Sequence, residues 1–156
     1  MRHGWDKAMK DTDFIESLLE KPYWLIDVLP KQVPAGSAGQ YFKAEHYFLS
    51  WLDEISWKFA RILIRLSCYH DLQVSTDGET WILNESPRDL ARCFEESAAS
   101  YSPLSVLIGS DEALITFSGY DHYMTLYNPG QELLELARQC AQAEGLFVWG
   151  PKQTEP

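Results

Sequence analysis

Cysteine is scarce: three residues, Cys68, Cys93 and Cys140, are scattered along 156 positions. They are too few for a disulfide framework, and an odd count would strand one thiol in an oxidising compartment, so a cytoplasmic location is expected. Clustered positive charge is scarcer still. The chain carries 13 Lys and Arg against 23 Asp and Glu, for a net charge of −10. With no cation cluster to release counterions from a polyanion, nucleic acid is excluded as an expected partner. No apolar run approaches the roughly 20 residues that cross a bilayer, and MRHGWDKAMKDTDF holds no apolar secretory core, so no membrane association is expected. Metal signatures are missing as well: there is no C-x-x-C, H-E-x-x-H or EF-hand loop, and His3, His46, His70 and His122 are not at ligand spacing. Neither a metal nor a cofactor is therefore expected.

Large apolar side chains are plentiful. A hydrophobic fraction of 46%, with six Trp, eight Tyr and seven Phe, excludes a disordered chain. The expectation is a single α+β domain over residues 1–156, a mainly antiparallel sheet with helices packed on it, with 1–10 and 151–156 irregular. Asp13 and Glu16 read as a capping box opening a short amphipathic helix that Pro22 closes. Residues 23–29 (YWLIDVL) read as a buried strand. Residues 30–40 (PKQVPAGSAGQ) form a loop, but without the G-x-x-x-x-G-K-[ST] of a phosphate loop or the G-x-S-x-G of a nucleophile elbow. A flap over a neighbouring groove is the functional reading of that loop. From 41 to 69 the pattern is helical with a break near Asp53. Ile55, Phe59, Ile62, Leu63 and Leu66 make its core face, Trp57, Ala60 and Ile64 widen it, and Lys58, Arg61 and Arg65 form a cationic stripe.

Pairing arithmetic specifies the remainder. An Asp77-Gly78 type I′ loop places Val74 opposite Trp81 and Leu72 opposite Leu83. Ser86, Pro87 and Asp89 open a helix as N-cap, first residue and capping-box partner. A Ser110-Asp111 loop pairs Ile108 with Ala113, Val106 with Ile115 and Leu104 with Phe117. A Gly119-Tyr120 type II′ loop then pairs Phe117 with His122, Ile115 with Met124 and Ala113 with Leu126, leaving Tyr123, Thr125 and Tyr127 on the opposite face with Thr116 opposite Tyr123. Asn128, Pro129 and Gln131 read as the cap of a last helix that Gly145 ends, with a short strand over 146–149.

Candidate chemistry falls on a few side chains. Asp27 is a carboxylate inside an apolar run, and burying it bare would cost several kcal/mol, on the order of ~2–7. It therefore reaches solvent at an edge or is satisfied by a buried donor, and a functional role is the alternative to both. His70-Asp71 and Asp121-His122 are two His-Asp neighbours at element ends, a pattern that suits acid–base work or a pH-sensitive contact. Asp27, His70, Asp71, Asp121 and His122 are accordingly the catalytic candidates. Lys58, Arg61 and Arg65 are binding candidates for an anion or an acidic segment, and Tyr123 and Tyr127 for an aromatic recognition face. Cys68 two residues before His70 points away from it on a helix and reads as an ordinary buried thiol.

At YWLIDVLPKQVP, DHYMTLYNP and GLFVWGP the chain resembles small uncharacterised bacterial proteins. The resemblance implies a bacterial cytosolic protein and carries over no activity or site. On charge, the leading expectation is a non-enzymatic accessory protein that binds a basic protein partner, such as a toxin or nuclease that it neutralises, because acidic complementarity speeds encounter. The alternative is a small enzyme or ligand-binding domain with a His/Asp site gated by the 30–40 loop. Self-association through the leftover aromatic face is a third expectation.

Overall fold

Strict alternation of apolar and polar residues makes a strand with one face to bury, and here several such strands lie side by side. The computed structural model describes residues 8–9, 12–109 and 113–150. In chain order its elements are β1 (Ala8–Met9), α1 (Thr12–Leu19), β2 (Tyr23–Asp27), a 3-10 turn (Ala35–Ser37), α2 (Ala38–Leu49) and α3 (Leu52–Leu66). Next come β3 (Leu72–Ser75), β4 (Thr80–Leu83), α4 (Pro87–Ser100), β5 (Pro103–Ile108), β6 (Ala113–Ser118), β7 (Tyr123–Tyr127), α5 (Gln131–Ala143) and β8 (Phe147–Trp149). The strands form one sheet in the order β1-β4-β3-β5-β6-β7-β2-β8, and every pairing is antiparallel. The fold is α+β, a mainly antiparallel sheet with helices packed on it.

One face of the sheet carries the main core. Ile26, Val74, Val106, Ile115, Phe117, Met124 and Leu126 meet Ile55, Phe59, Ile62, Leu63 and Leu66 of α3, Leu90 and Phe94 of α4, and Leu133, Ala137 and Cys140 of α5. Fully burying side chains of this size stabilises the fold by about 1.5–3 kcal/mol each before cavity effects. The other face is covered in part by α1, whose Leu18, Phe14 and Ile15 pack on Trp81, Leu107, Leu114 and Tyr127. Trp57, expected to widen the core face of α3, is instead exposed, because the core flank it would join is already closed by Ala60 and Ile64, and Cys68, expected to be buried, is exposed because α3 ends before it at Leu66.

Register separates what alternation decides from what it leaves open. β5 and β6 pair Ile108 with Ala113, Val106 with Ile115 and Leu104 with Phe117, the expected set; the Ser110-Asp111 turn itself lies outside the described residues. The β3–β4 hairpin is one residue off expectation, with Val74 opposite Ile82 and Gln73 opposite Leu83. The cause lies in residues 76–79 between the strands. Asp77 Oδ1 accepts from the amides of Glu79 and Thr80, each at 2.8 Å, and Gly78 takes φ +80° while its amide donates to Ser75 Oγ. This side-chain-bonded turn replaces the two-residue loop. An odd shift exchanges faces, so Trp81 packs under α1 and not beside Val74.

The β6–β7 hairpin is two residues off: Ile115 faces Leu126, Thr116 faces Thr125 and Leu114 faces Tyr127. Residues 119–122 make its connection, so His122 lies in the turn and not opposite Phe117. Gly119 has no positive φ, which rules out the turn role assigned to it. It is needed for another reason: a Cβ there would lie 2.0 Å from the Ser97 carbonyl oxygen and 2.8 Å from Tyr101 Cα, so the end of α4 rests directly on this backbone.

Helix ends differ in similar ways. Ser86 Oγ accepts from the Asp89 amide at 3.1 Å and Pro87 opens α4, as expected. α5 begins later than expected, with Gly130 as its N-cap, because Asn128 takes φ +59° to end β7 and cannot adopt the extended geometry of a cap. Asp13 sits within the first turn of α1 and not at its cap, where its charge still suits the helix dipole. Residues 35–49 wind into the 3-10 turn and α2, so the 30–40 loop is irregular only as far as Pro34, and the helical break falls at Ser50-Trp51.

Candidate functional site

Asp27 ends β2 and lies opposite Tyr123, the first residue of β7, so the strand pairing brings it beside the turn that holds His122. Both side chains are nearly fully buried, at 2% exposure each. Asp27 Oδ1 accepts from His122 Nδ1 at 2.9 Å, and Asp27 Oδ2 accepts from Trp149 Nε1, contributed by β8, at 3.1 Å. Both carboxylate oxygens are therefore satisfied, which removes the penalty of a bare buried charge. The Asp27 acceptor also assigns a proton to Nδ1, so Nε2 is the ring nitrogen free to gain or lose one.

Nε2 faces α2. Tyr41 Oη lies 3.2 Å from it, and Tyr41 in turn donates to Glu45 Oε2 at 3.1 Å. Glu45 Oε2 itself stands 3.7 Å from Nε2. Phe48, one further turn along the same helix face, packs on the imidazole with ring centroids 5.9 Å apart. Positions 41, 45 and 48 share a stripe of α2, and all three meet on His122.

Burial alone would lower the pKa of His122, but the hydrogen bond and charge of Asp27 and the charge of Glu45 outweigh it and hold it above its ordinary 6.5. Burial, with Glu45 as hydrogen-bond acceptor, pushes the Tyr41 phenol up to about 12, so it stays protonated as a donor. Burial likewise raises Tyr123, with neighbouring carboxylates adding to it. Asp121, half-buried at the turn, is raised chiefly by burial; the adjacent His122 works against the shift and Glu45 reinforces it.

The cluster opens on a cavity of about 340 Å³. Leu25, Leu29, Val33 and Pro34 supply apolar wall, Asp27, His122, Tyr41 and Tyr123 supply polar atoms, and Trp149 closes one side with Lys31 at the mouth. A mostly apolar concavity with a few convergent polar groups is the usual form of a small-ligand site, and this volume is at the small end of the ~300–1,000 Å³ range. No Ser, Thr or Cys lines it. The polar groups that do line it can hydrogen-bond and exchange protons with a molecule held there.

The other candidates lie elsewhere. Leu72 faces Ile108, Ile108 faces Ala113, and the neighbouring Leu114 faces Tyr127 at the far end of β7. His70 and Asp71 therefore sit at the opposite end of the sheet from His122, more than about 15 Å away by strand rise and spacing. Asp71 Oδ1 accepts from Asn84 Nδ2 at 3.0 Å, and its carbonyl accepts from the Gly109 amide at 2.9 Å, joining β3 to both neighbours. His70 borders a separate cleft with Gly109 and Gly130. The cationic stripe of α3 converges on Glu144 at the end of α5. Lys58 Nζ donates to its carbonyl at 2.9 Å, while Arg61 and Arg65 pair with its carboxylate. Burial would raise the Glu144 carboxyl, but the two guanidinium groups outweigh it and lower it. Tyr127 leans on Tyr23 with ring centroids 5.8 Å apart, whereas Tyr123 lines the cavity.

Tyr41, Glu45 and Trp149 are the site residues that sequence reasoning did not single out. Tyr41, Glu45 and Phe48 at i, i+4 and i+7 are the signal that was present, a polar pair on the inward stripe of a helix. Among the described residues no group of three or more His, Cys, Asp and Glu side chains is arranged to hold a metal ion. No helix there is long and apolar enough to cross a membrane. No family model, curated protein or solved structure matches the chain.

Proposed function

We propose that the protein binds a small, largely apolar molecule in the cavity between β2, β7, β8 and the 28–35 segment, and exchanges a proton with it through His122. One observation carries this reading: a buried Asp27–His122 pair opens on an apolar-walled cavity instead of closing into the core. In the roles assigned, Asp27 orients the imidazole and stabilises its charged form, His122 Nε2 is the acid or base, and the neutral Tyr41 phenol, its own hydrogen bond given to Glu45, accepts from Nε2–H. Trp149 fixes the Asp27 carboxylate from behind. Ligand-observed NMR with a set of neutral phenols, indoles and small amides tests the reading. The expected result is a group of binders that lose binding to Ala35→Trp, which fills the cavity from its exposed rim. No binders, or the same binders with both proteins, overturns it.

A second reading is favoured by α2 and its junction with α3, which expose Phe42, Tyr47 and Trp51 at 64%, 55% and 50%. Tyr47 and Trp51 pack in a tilted pair with centroids 4.6 Å apart. Rigid aromatic anchors on a chain of net charge −10 suit a basic protein partner.

A further inference from the structure

We propose that the ligand of this cavity is an amphipathic monoanion. An uncharged hydrogen-bonding group sits at the His122–Tyr41 floor, a flat apolar body lies between Leu25, Leu29 and Val33, and a carboxylate or equivalent rests against Lys31 at the mouth. This inference rests on the cavity being a small-molecule site, and it adds the class of molecule.

The electrostatics of the two ends differ. At the floor, Asp27 and Glu45 stand against one imidazole, with Glu45 Oε2 only 3.7 Å from Nε2. Even with His122 protonated the three groups sum to one negative charge. An anionic group there would meet the buried Asp27 carboxylate, with the partly exposed Glu45 behind the imidazole, and like charges repel most strongly where water is excluded. A phenol, alcohol or amide has no such conflict, and it can accept from Nε2 or donate to it according to the protonation of His122.

At the mouth the sign reverses. Lys31 is the only Lys or Arg lining the cavity, and it makes no hydrogen bond or ion pair among the described residues. Lys58, Arg61 and Arg65 are occupied by Glu144 and Arg92 by Asp89, whereas Lys31, one of several unbonded cations among the described residues, is the one that lines this cavity. Between floor and mouth the walls are aliphatic and aromatic, which suits a planar body and not a second charge. The field of the whole chain, at −10, repels anions. Discrimination for a monoanion therefore depends on Lys31 locally and falls steeply when it is removed.

A matched set separates the terms: 4-hydroxyphenylacetate, its neutral amide 4-hydroxyphenylacetamide, and the cationic tyramine, each titrated calorimetrically into the full chain. The acid is expected to bind about three- to fivefold more tightly than the amide, the range of one exposed ion pair. Tyramine is expected to be weakest. Lys31→Met, which keeps the stem and removes the charge, should abolish the preference for the acid over the amide, and Lys31→Arg should retain it; both substitutions lie on an exposed segment outside the core. Equal binding of acid and amide, or a preference for tyramine, overturns the inference. If the amide still binds and Ala35→Trp abolishes that binding, the cavity remains a small-molecule site and only the class of ligand is wrong. If none of the three binds, the inference falls, and the neutral set decides separately on the site.

Discussion

His122 is more readily protonated in the folded chain than in an unfolded one, since burial is outweighed by Asp27 and Glu45. The stabilisation from its charged form is complete below the unfolded value near 6.5 and is lost as pH rises through the higher folded value. Urea unfolding between about pH 6 and about pH 9 should therefore show the wild type losing stability relative to His122→Gln, whose profile lacks this titration. Parallel profiles would mean that the imidazole gains nothing from its two carboxylates. Glu144 has the opposite sign: its lowered carboxyl contributes above its ordinary pKa and loses that contribution as pH falls through the folded value. The two groups act in separate pH windows, so a single variant is enough to isolate His122. Tyr41 stays a protonated donor throughout both windows, at about 12.

Between elements, the decisive contact is the approach of α4 to the β6–β7 turn. Gly119→Ala would put a methyl group against the Ser97 carbonyl and Tyr101 Cα, both backbone, so neither can swing aside. Overpacking of this kind costs about 1–3 kcal/mol or more, and the equilibrium urea midpoint should fall accordingly with little change in slope. An unshifted midpoint would mean that α4 is not seated as described. The same glycine marks where the sequence is legible and where it is not. β5 and β6 are readable because Leu104, Val106, Ile108, Ile115 and Phe117 leave one apolar set to bury, and any odd shift would expose it. A shift of two keeps the same face inward, so nothing in the alternation of 113–127 reveals that the β6–β7 turn spans residues 119–122. Trp81 can be buried on either face, and the bonds from Asp77 that choose between them are invisible to periodicity. In the site, Asp27 stands out as a charge in an apolar run, but its bond to a residue 95 positions away is set by strand order, which no local pattern contains. Tyr41 and Glu45 become meaningful only once α2 has a place to rest.

Across the whole molecule the acidic excess is uneven, with eleven acidic and four basic residues in 85–156, a net of −7. A protein partner recruited through this field is cationic, and its association rate should fall as salt shortens the reach of charge from about 30 Å at 0.01 M to about 3 Å at 1 M. Stopped-flow association measured across that range would show it, and a rate indifferent to salt would exclude steering by charge. The bond from Trp149 to Asp27 joins residues 122 positions apart, and His122 must also be in place before the carboxylate has both donors. The carboxylate is therefore fully satisfied only when the β6–β7 turn and β8 are both in place. Asp27 precedes both donors in the chain, so it is the partner that waits for them. Displacing β8 would leave one oxygen of this carboxylate bare while the bond to His122 remained, so the two halves of the site are held by different parts of the sheet.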